Sequence, residues 1–429
     1  MADNFLEPAD DTAVPLMNPE EQLPGLAAYV KHKFEDSENG RYSYEQRWLQ
    51  SYKNFRGIYD STTQYRESER SKVFIKITKT KVLAAYGQIV DILFANKKFP
   101  MVVEPTPVPE GIAEFAHMQT PLDDIIEDPY GFAGDGREMP FGATQATPSM
   151  DFLGGLQGRY ENAPIQPGPS LAGEPQISPA QKAALNMEKQ IHDQLLDTSA
   201  VNVLRSSIFE SALLGTGVVK GPFNHYKRVH RWENGPEGRT YSPYEKVVPR
   251  IEYVSTWDFH PDPSATTIDD CEYVIQRHRM NRQQFRGLIT QPFFYKDAIE
   301  ECLAKGPNYE DKYYEDTIRE DETEPYYANN RYEVLEYWGT LDGKMAEEAG
   351  LDVAEQMDEF DQVQVNVWVC GTMVLRCVLN PFTPARIPYQ VFPYEINPYQ
   401  IWGVGVAENM EDAQMLMNGH VRMAIDNLA

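Results

Sequence analysis

A chain of 429 residues with a formal charge of −26 and a pI near 4.7 excludes a protein that grips nucleic acid by bulk electrostatics, because such a surface repels phosphate at long range. It does not exclude one that must let DNA slide past without sticking. Hydrophobic residues at 41% and aromatics at 12% exclude wholesale disorder, no apolar run reaches the length of a membrane span, and the acidic start lacks the marks of a signal peptide.

Residues 1–23 are acidic and proline-bearing and read as a flexible arm. A helical region should follow over 24–104. Leu26, Tyr29, Val30 and Phe34 give one short amphipathic face, and Tyr44, Trp48, Tyr52 and Phe55 give a second at helical spacing. Such an aromatic stripe is core rather than a ligand box. The strongest helical pattern covers about Ser71 to Asn96, with Val82, Tyr86, Ile89 and Leu93 inward. Within it Lys72, Lys76 and Lys79 fall at i, i+4 and i+7, one basic stripe on an acidic protein. A solvated face explains the stripe; a contact with an acidic neighbouring subunit or with phosphate explains it more sharply. The helix should stop before Pro100, and Phe99 to Glu104 reads as a strand.

Residues 105–177 are rich in Pro and Gly, with Asp123, Asp124, Glu127 and Asp128 clustered, and read as a long surface insertion. Order resumes at Ser178-Pro179-Ala180-Gln181, an N-cap serine, a first-turn proline and a capping-box glutamine. A helix should run from there to about Leu196, and another over about Ala200 to Leu214, ended by Gly215-Thr216-Gly217. Strands follow from Val218, over Lys246 to Tyr253 (an edge, because of Pro249), and over Glu272 to His278. Asn281 to Leu288 should be a short helix and 305–330 an acidic, tyrosine-rich loop. Tyr332 to Trp338 and Val363 to Val378 are clear strands, the latter turned as a hairpin at Gly371. Residues 178–400 thus form an α+β body, and 401–429 open a long helix.

Catalytic signals are lacking. Gly215-x-Gly217-x-x-x-Gly221 follows a helix and precedes a strand, the reverse of a phosphate-cradling loop, so a glycine helix cap and turn explain it. Asp258-Phe-His260-Pro-Asp262 offers alternating polar side chains of metal-ligand type, but Pro261 and Pro263 make it a turn rather than a ladder. Cys271, Cys302, Cys370 and Cys377 have no C-x-x-C spacing and read as reduced, buried thiols. No Walker loop, nucleophile elbow or His-Glu-x-x-His occurs. The expectation is no enzyme, no catalytic, cofactor-binding or metal-binding residue, and no cofactor.

Three segments in order resemble the portal proteins of tailed phages, the head-to-tail connectors, most closely the short-tailed phage type. The first is Phe209-Glu-Ser-Ala-Leu-Leu-Gly215-Thr-Gly217-Val-Val-Lys220, similar to a portal helix ending in LLGTG and followed by a valine-rich strand. The second is Val254-Ser-Thr-Trp-Asp258-Phe-His-Pro-Asp262-Pro263, continuing through Ile268-Asp-Asp-Cys-Glu-Tyr-Val-Ile-Gln-Arg277. The third is Gly403-Val-Gly405 followed by Glu408, Asp412, Gln414, Asn418, Arg422 and Asp426, similar to a portal stem-type helix. Ile75 to Val82 ahead of Phe99-Pro and Val-Glu104-Pro fits the N-terminal part of the same family.

The resemblance implies a portal-like α+β fold with wing, stem, clip and crown. It implies a ring of identical subunits, usually twelve, at one capsid vertex. DNA would be packaged and ejected through the lumen, with the major capsid protein, a terminase and then tail or adaptor proteins as partners and no membrane. The place implied is the virion, with the host cytoplasm during assembly. A different virion or adaptor protein with only local resemblance, and an enzyme with an unrecognised site near His260, are the competing readings.

The closing helix repeats apolar residues at Met410, Ala413, Met417, Val421, Ala424 and Leu428. That stripe should pack against helices of a missing part or of the next subunit, since the family pattern continues beyond Ala429 and the chain reads as truncated. Gly403 and Gly405 should permit the strand-to-helix bend.

Overall fold

The computed structural model describes residues 24–59, 71–94, 99, 101–105, 179–235, 238–319, 330–351 and 361–428. The expected arm over 1–23 and nearly all of the insertion over 105–177 lie outside these residues. The chain divides into two compact units, one of residues 1–100 with 192–429, the other of residues 101–191.

In the second unit, residues 101–105 have no regular structure and Pro179–Ile191 form the first part of a helix. The strand expected over Phe99 to Glu104 is therefore absent from its described residues. Its alternation has no neighbouring strand to pair with, and an unpaired extended segment gains no ladder hydrogen bonds.

The first unit opens on α1 (Pro24–Arg56), one helix of 33 residues that carries both expected faces. Leu26, Val30 and Phe34 pack on the inner face of the larger sheet, and Trp48 enters a second core with Trp257, Phe259 and Trp402. Gly40 interrupts neither half. A Cβ there would lie 2.6 Å from Pro263 Cβ, so the small residue admits the 261–264 loop.

Helix α2 (Ile77–Phe94) starts six residues later than the periodicity predicts. Ser71 to Lys76 are non-helical instead, with Ser71 N and Ile75 N and O bonded to side chains of the closing helix. After α3 (Pro179–Asp197), α4 (Ala200–Leu214) matches its expected span and is capped by Gly215 at φ 98°.

All strand pairing among the described residues is antiparallel. A three-stranded sheet has the order β10 (Tyr389–Pro393), β1 (Thr216–Val229), β4 (Tyr244–Val254), with β4 at the edge as Pro249 requires. Beyond it β2 (Trp232–Gly235) and β3 (Gly238–Tyr241) form a small hairpin.

The larger sheet is a five-stranded meander of β5 (Phe259–Pro261), β6 (Tyr273–Met280), β7 (Tyr332–Asp342), β8 (Gln362–Cys370) and β9 (Met373–Leu379). Period-2 alternation sends Tyr273, Ile275, Tyr337, Val365 and Val367 towards α1. It sends Tyr332, Val334 and Leu375 towards Phe285 and Ile299 of α5 (Arg282–Gly287) and α6 (Lys296–Lys305). Asn281 caps α5 with a reciprocal capping box to Gln284.

Two expectations need correcting here. The 305–330 stretch contains a short helix, α7 (Glu315–Arg319), with Tyr309 and Tyr314 buried beside it. The Asp258–Asp262 motif is not a free turn, because Phe259, His260 and Pro261 pair with Gln276, Ile275 and Val274. Pro261 is tolerated because it sits at the sheet edge. A short helix α8 (Gly343–Glu348) follows β7, and the chain closes with α9 (Val406–Asn409) and α10 (Glu411–Leu428).

Candidate functional site

The motif residues gather at three places in the first unit. One is the turn around Asp258 to Pro263. Arg41 of α1 is buried and donates to the carbonyls of Thr256, Trp257 and Phe259, while its Nε bonds Glu45 Oε1 at 2.6 Å. Ser37 Oγ donates to Pro261 O at 2.6 Å. Asp262 accepts from Ser264 N and Oγ at 2.9 and 2.7 Å, folding the loop that carries Pro263 against Gly40. The helix thus holds the turn by its main-chain carbonyls.

Asp258 does not join His260 and Asp262 in one ligand set. Its carboxylate faces Arg277 Nη2 at 3.2 Å and Arg279 Nη2 at 3.1 Å. Arg277 is fully buried and also reaches Glu315 Oε1 at 3.2 Å and the Tyr314 hydroxyl at 2.9 Å. Burial opposes its charge, but Tyr314, Asp258, Tyr309 and Glu315 together keep its pKa raised. His260 packs on Phe34, with ring centroids 4.5 Å apart, and burial together with Arg41 and Arg277 holds it neutral. Among the described residues no group of three or more His, Cys, Asp or Glu could hold a metal ion.

The second place is a contact of glycines. A Cβ on Gly405 would lie 2.7 Å from Gly215 N and 2.8 Å from Leu213 O, and one on Gly403 would lie 2.5 Å from Pro393 Cβ. A Cβ on Gly217 would meet Ser207 O at 2.6 Å. Thr216 Oγ1 accepts from Gly403 N at 2.9 Å. The end of α4 and the start of α9 therefore touch backbone to backbone. Gly215 alone of these four uses a left-handed φ. Gly403 and Gly405 serve close approach rather than the expected bend, because their φ angles are available to any residue.

The third place is the inner face of α10. Gln414 and Asn418 are its buried residues. Gln414 Oε1 accepts from Thr78 N at 3.1 Å and Thr78 Oγ1 at 2.9 Å, while its Nε2 donates to Ile75 O. Asn418 Oδ1 accepts from Ile75 N at 2.9 Å, and Asp426 Oδ1 from Ser71 N at 2.9 Å. Arg422, one turn from each neighbour, lies over the Tyr59 ring at 5.2 Å. Asp412 is exposed in the first turn, where a carboxylate favours the helix dipole.

The apolar stripe, expected to face a missing part or the next subunit, leaves the inner face of this helix to the carboxamide row. Leu416 is 63% and Leu428 89% exposed, and Met415, Met417 and Met423 are exposed too. Only polar side chains can satisfy the N–H and C=O groups of an extended segment with no strand beside it, so the carboxamide row faces in. Lys72, Lys76 and Lys79 are all exposed, but only Lys79 lies within α2. The stripe is not one helical face, because helix begins after Lys76.

Sequence reasoning missed two further buried constellations. Glu336 accepts from Lys220 Nζ at 2.5 Å, from Trp338 Nε1 at 2.8 Å, and shares a 2.7 Å contact with His278 Nε2. Burial would raise its pKa, yet Lys220 and His278 hold it well below the usual carboxylate range. Glu210 accepts from Tyr253, Ser255 and Thr256 N, at 2.9, 2.9 and 3.0 Å. Their sequence separations leave no local signal. Arg41 was equally invisible, since its partners are carbonyls 215 and more residues away.

Glu336 is held by Lys220 and His278, and Glu210 by three neutral donors. All four cysteines are buried and none is disulfide-bonded. No helix among the described residues is long and apolar enough to cross a membrane. The arrangement fastens helices to sheets, which is what a structural protein needs.

Comparison with known proteins agrees. The family profile described as Phage SU10 portal protein matches residues 174–429, from the start of α3 through α10. No curated protein matches the chain. The match takes in the motif residues over 209–220, 254–277 and 403–426 and more than half of the chain, and the chain belongs to the Phage SU10 portal protein family: it is a phage portal protein, a structural component of the virion capsid.

Proposed function

We propose that this portal protein is the repeating subunit of a closed ring at one capsid vertex, twelve copies being usual for portals, through which genomic DNA is packaged and later ejected. In this reading 24–104 and 178–400 are the wing, and 401–429 begin a stem. A terminase docks during filling, tail or adaptor proteins replace it, and the major capsid protein surrounds the ring. Assembly takes place in the host cytoplasm and the product resides in the virion.

The observation that carries the reading is the outward apolar row of α10. Its own chain holds the helix by the opposite, polar face, so Leu416 and Met423 are left for another surface. A cyclic ring supplies that surface through head-to-tail contacts. The charge of −26 supports passage of DNA without retention. Lys72, Lys76 and Lys79 remain candidates for a contact with an acidic neighbour, now as an exposed strip rather than a helical face.

Negative-stain electron microscopy of the intact gene product tests the proposal. Rings with a central hole wide enough for duplex DNA are expected; a monodisperse monomer at every concentration overturns it.

A further inference from the structure

The three-stranded sheet is lopsided. β10 pairs with β1 only over Thr216 to Lys220, where β1 is buried. Among the described residues, β1 from Phe223 to Val229 has β4 alone as neighbour, roughly 20 Å of two-stranded ribbon, and the β2–β3 hairpin extends it. A two-stranded ribbon is marginal in water unless one of its faces is covered.

One face of this ribbon is covered by its own chain. Val248 is buried, and Lys227 and Lys246, cross-strand partners, both reach Asp197 at the end of α3, the latter at 3.1 Å. Among the described residues, none covers the opposite face. Tyr226 is 67% exposed, and Val247, directly across from it, is exposed as well. At the tip Trp232, 65% exposed, pairs across the hairpin with Tyr241, ring centroids 5.2 Å apart, and His230 stacks on the same tyrosine. These aromatics pack on one another and not on the body, and Trp and Tyr are the residues that anchor protein interfaces.

Charge separates the ribbon from the rest. Residues 222–250 carry six Lys or Arg against three Glu, on a chain whose net charge is −26. Arg228, Arg231 and Arg239 are exposed.

We infer that this ribbon is an assembly arm that docks on the acidic surface of a second copy of the chain. The inference rests on the ring reading above and names one of its contacts. Every copy carries both the basic, aromatic arm and the acidic body, so the contact is heterologous and repeats around a ring. Opposite charge steers the arm, and the Tyr226–Val247 face with the Trp232–Tyr241 tip supplies the apolar burial. Duplex DNA would match the arginines but not that apolar face, since a phosphate backbone is recognised by charge and hydrogen bonds.

The experiment uses the intact protein with a photo-cross-linking amino acid at Tyr226 or Trp232, and in parallel the triple variant Arg228→Glu, Arg231→Glu, Arg239→Glu. Irradiation is expected to join copies into covalent dimers and higher ladders. In mass photometry the triple variant is expected to need at least tenfold more protein to form rings, with an unchanged circular dichroism spectrum. Rings that form normally in the variant, with no cross-link between copies, overturn the arm while leaving the ring reading intact. Normal rings with weakened binding of duplex DNA overturn it in favour of nucleic-acid contact. A wild type that never oligomerises overturns both readings.

Discussion

Gln414 and Thr78 are joined twice: one carboxamide oxygen accepts from both the backbone N–H and the hydroxyl of Thr78, at 3.1 and 2.9 Å. Both residues are buried, so the pair fixes where α2 begins and how α10 lies on it. Replacing Gln414 by Leu keeps the volume and removes the carboxamide, leaving the Thr78 N–H and hydroxyl without their acceptor, while Ile75 C=O keeps only its bond from Ile77 N. Each stranded group costs about 1–3 kcal/mol, and a net loss of about 2–4 kcal/mol is expected from urea unfolding. Leu416→Gln, on the exposed face, should stay within about 0.5 kcal/mol in dissociated protein while weakening assembly. Equal losses for the two would mean that the polar face does not hold the helix.

The glycines divide by what surrounds them. Gly405→Ala drives a methyl against Gly215 N and Leu213 O, backbone atoms that cannot rotate away. A loss of about 2–3 kcal/mol is expected, as for overpacked cores. Gly419 lies inside α10 with nothing within 4 Å of a built Cβ, so Gly419→Ala should stabilise by about 0.5–1 kcal/mol. Thermal melts of the two variants should move in opposite directions.

The same contrast shows what could be read in the chain. The span of α4, the glycine cap at Gly215, the edge strand with Pro249 and the hairpin at Gly371 were legible, because each depends on local chemistry: periodicity, φ, a missing N–H. The start of α2 was not, because its signal lies in Gln414, Asn418 and Asp426, more than 300 residues away in sequence. The inner face of α10 was not legible either, for a related reason. Its apolar row and its carboxamide row have the same helical spacing, and only the unpaired backbone of 71–78 decides which one faces in. The Asp258 motif was visible as a pattern, but its partners Arg277 and Arg41 act across the fold.

Arg277 is the only cation within reach of three carboxylates at once among the described salt bridges, those of Asp258, Glu315 and Glu333, at 3.2, 3.2 and 3.8 Å. Arg277→Met would preserve bulk and leave buried negative charges facing one another. Breaking a buried pair in this way costs about 3–5 kcal/mol. Adding Glu315→Gln should restore part of that loss, a coupling readable by a double-mutant cycle. A single-variant loss below about 1 kcal/mol would mean that Arg279 alone suffices.

Glu210 gives the protein a pH dependence of known sign. Its carboxyl is enclosed by α4 and β4, and burial raises its pKa to about 7, the donated bonds from Thr256, Tyr253 and Ser255 only partly offsetting this. Between about 4.5 and 7 the folded protein holds a proton that the unfolded chain has released. Stability therefore falls as pH rises through that window, by about 3 kcal/mol in all for a shift of this size. The contribution is complete below pH about 4.5 and gone above pH about 7. Glu210→Gln cannot release a proton, so its melting temperature relative to wild type should rise between pH 5 and pH 8. Parallel profiles for the two proteins over that range would show that Glu210 is already ionised in the folded state, its charge carried by the three donors.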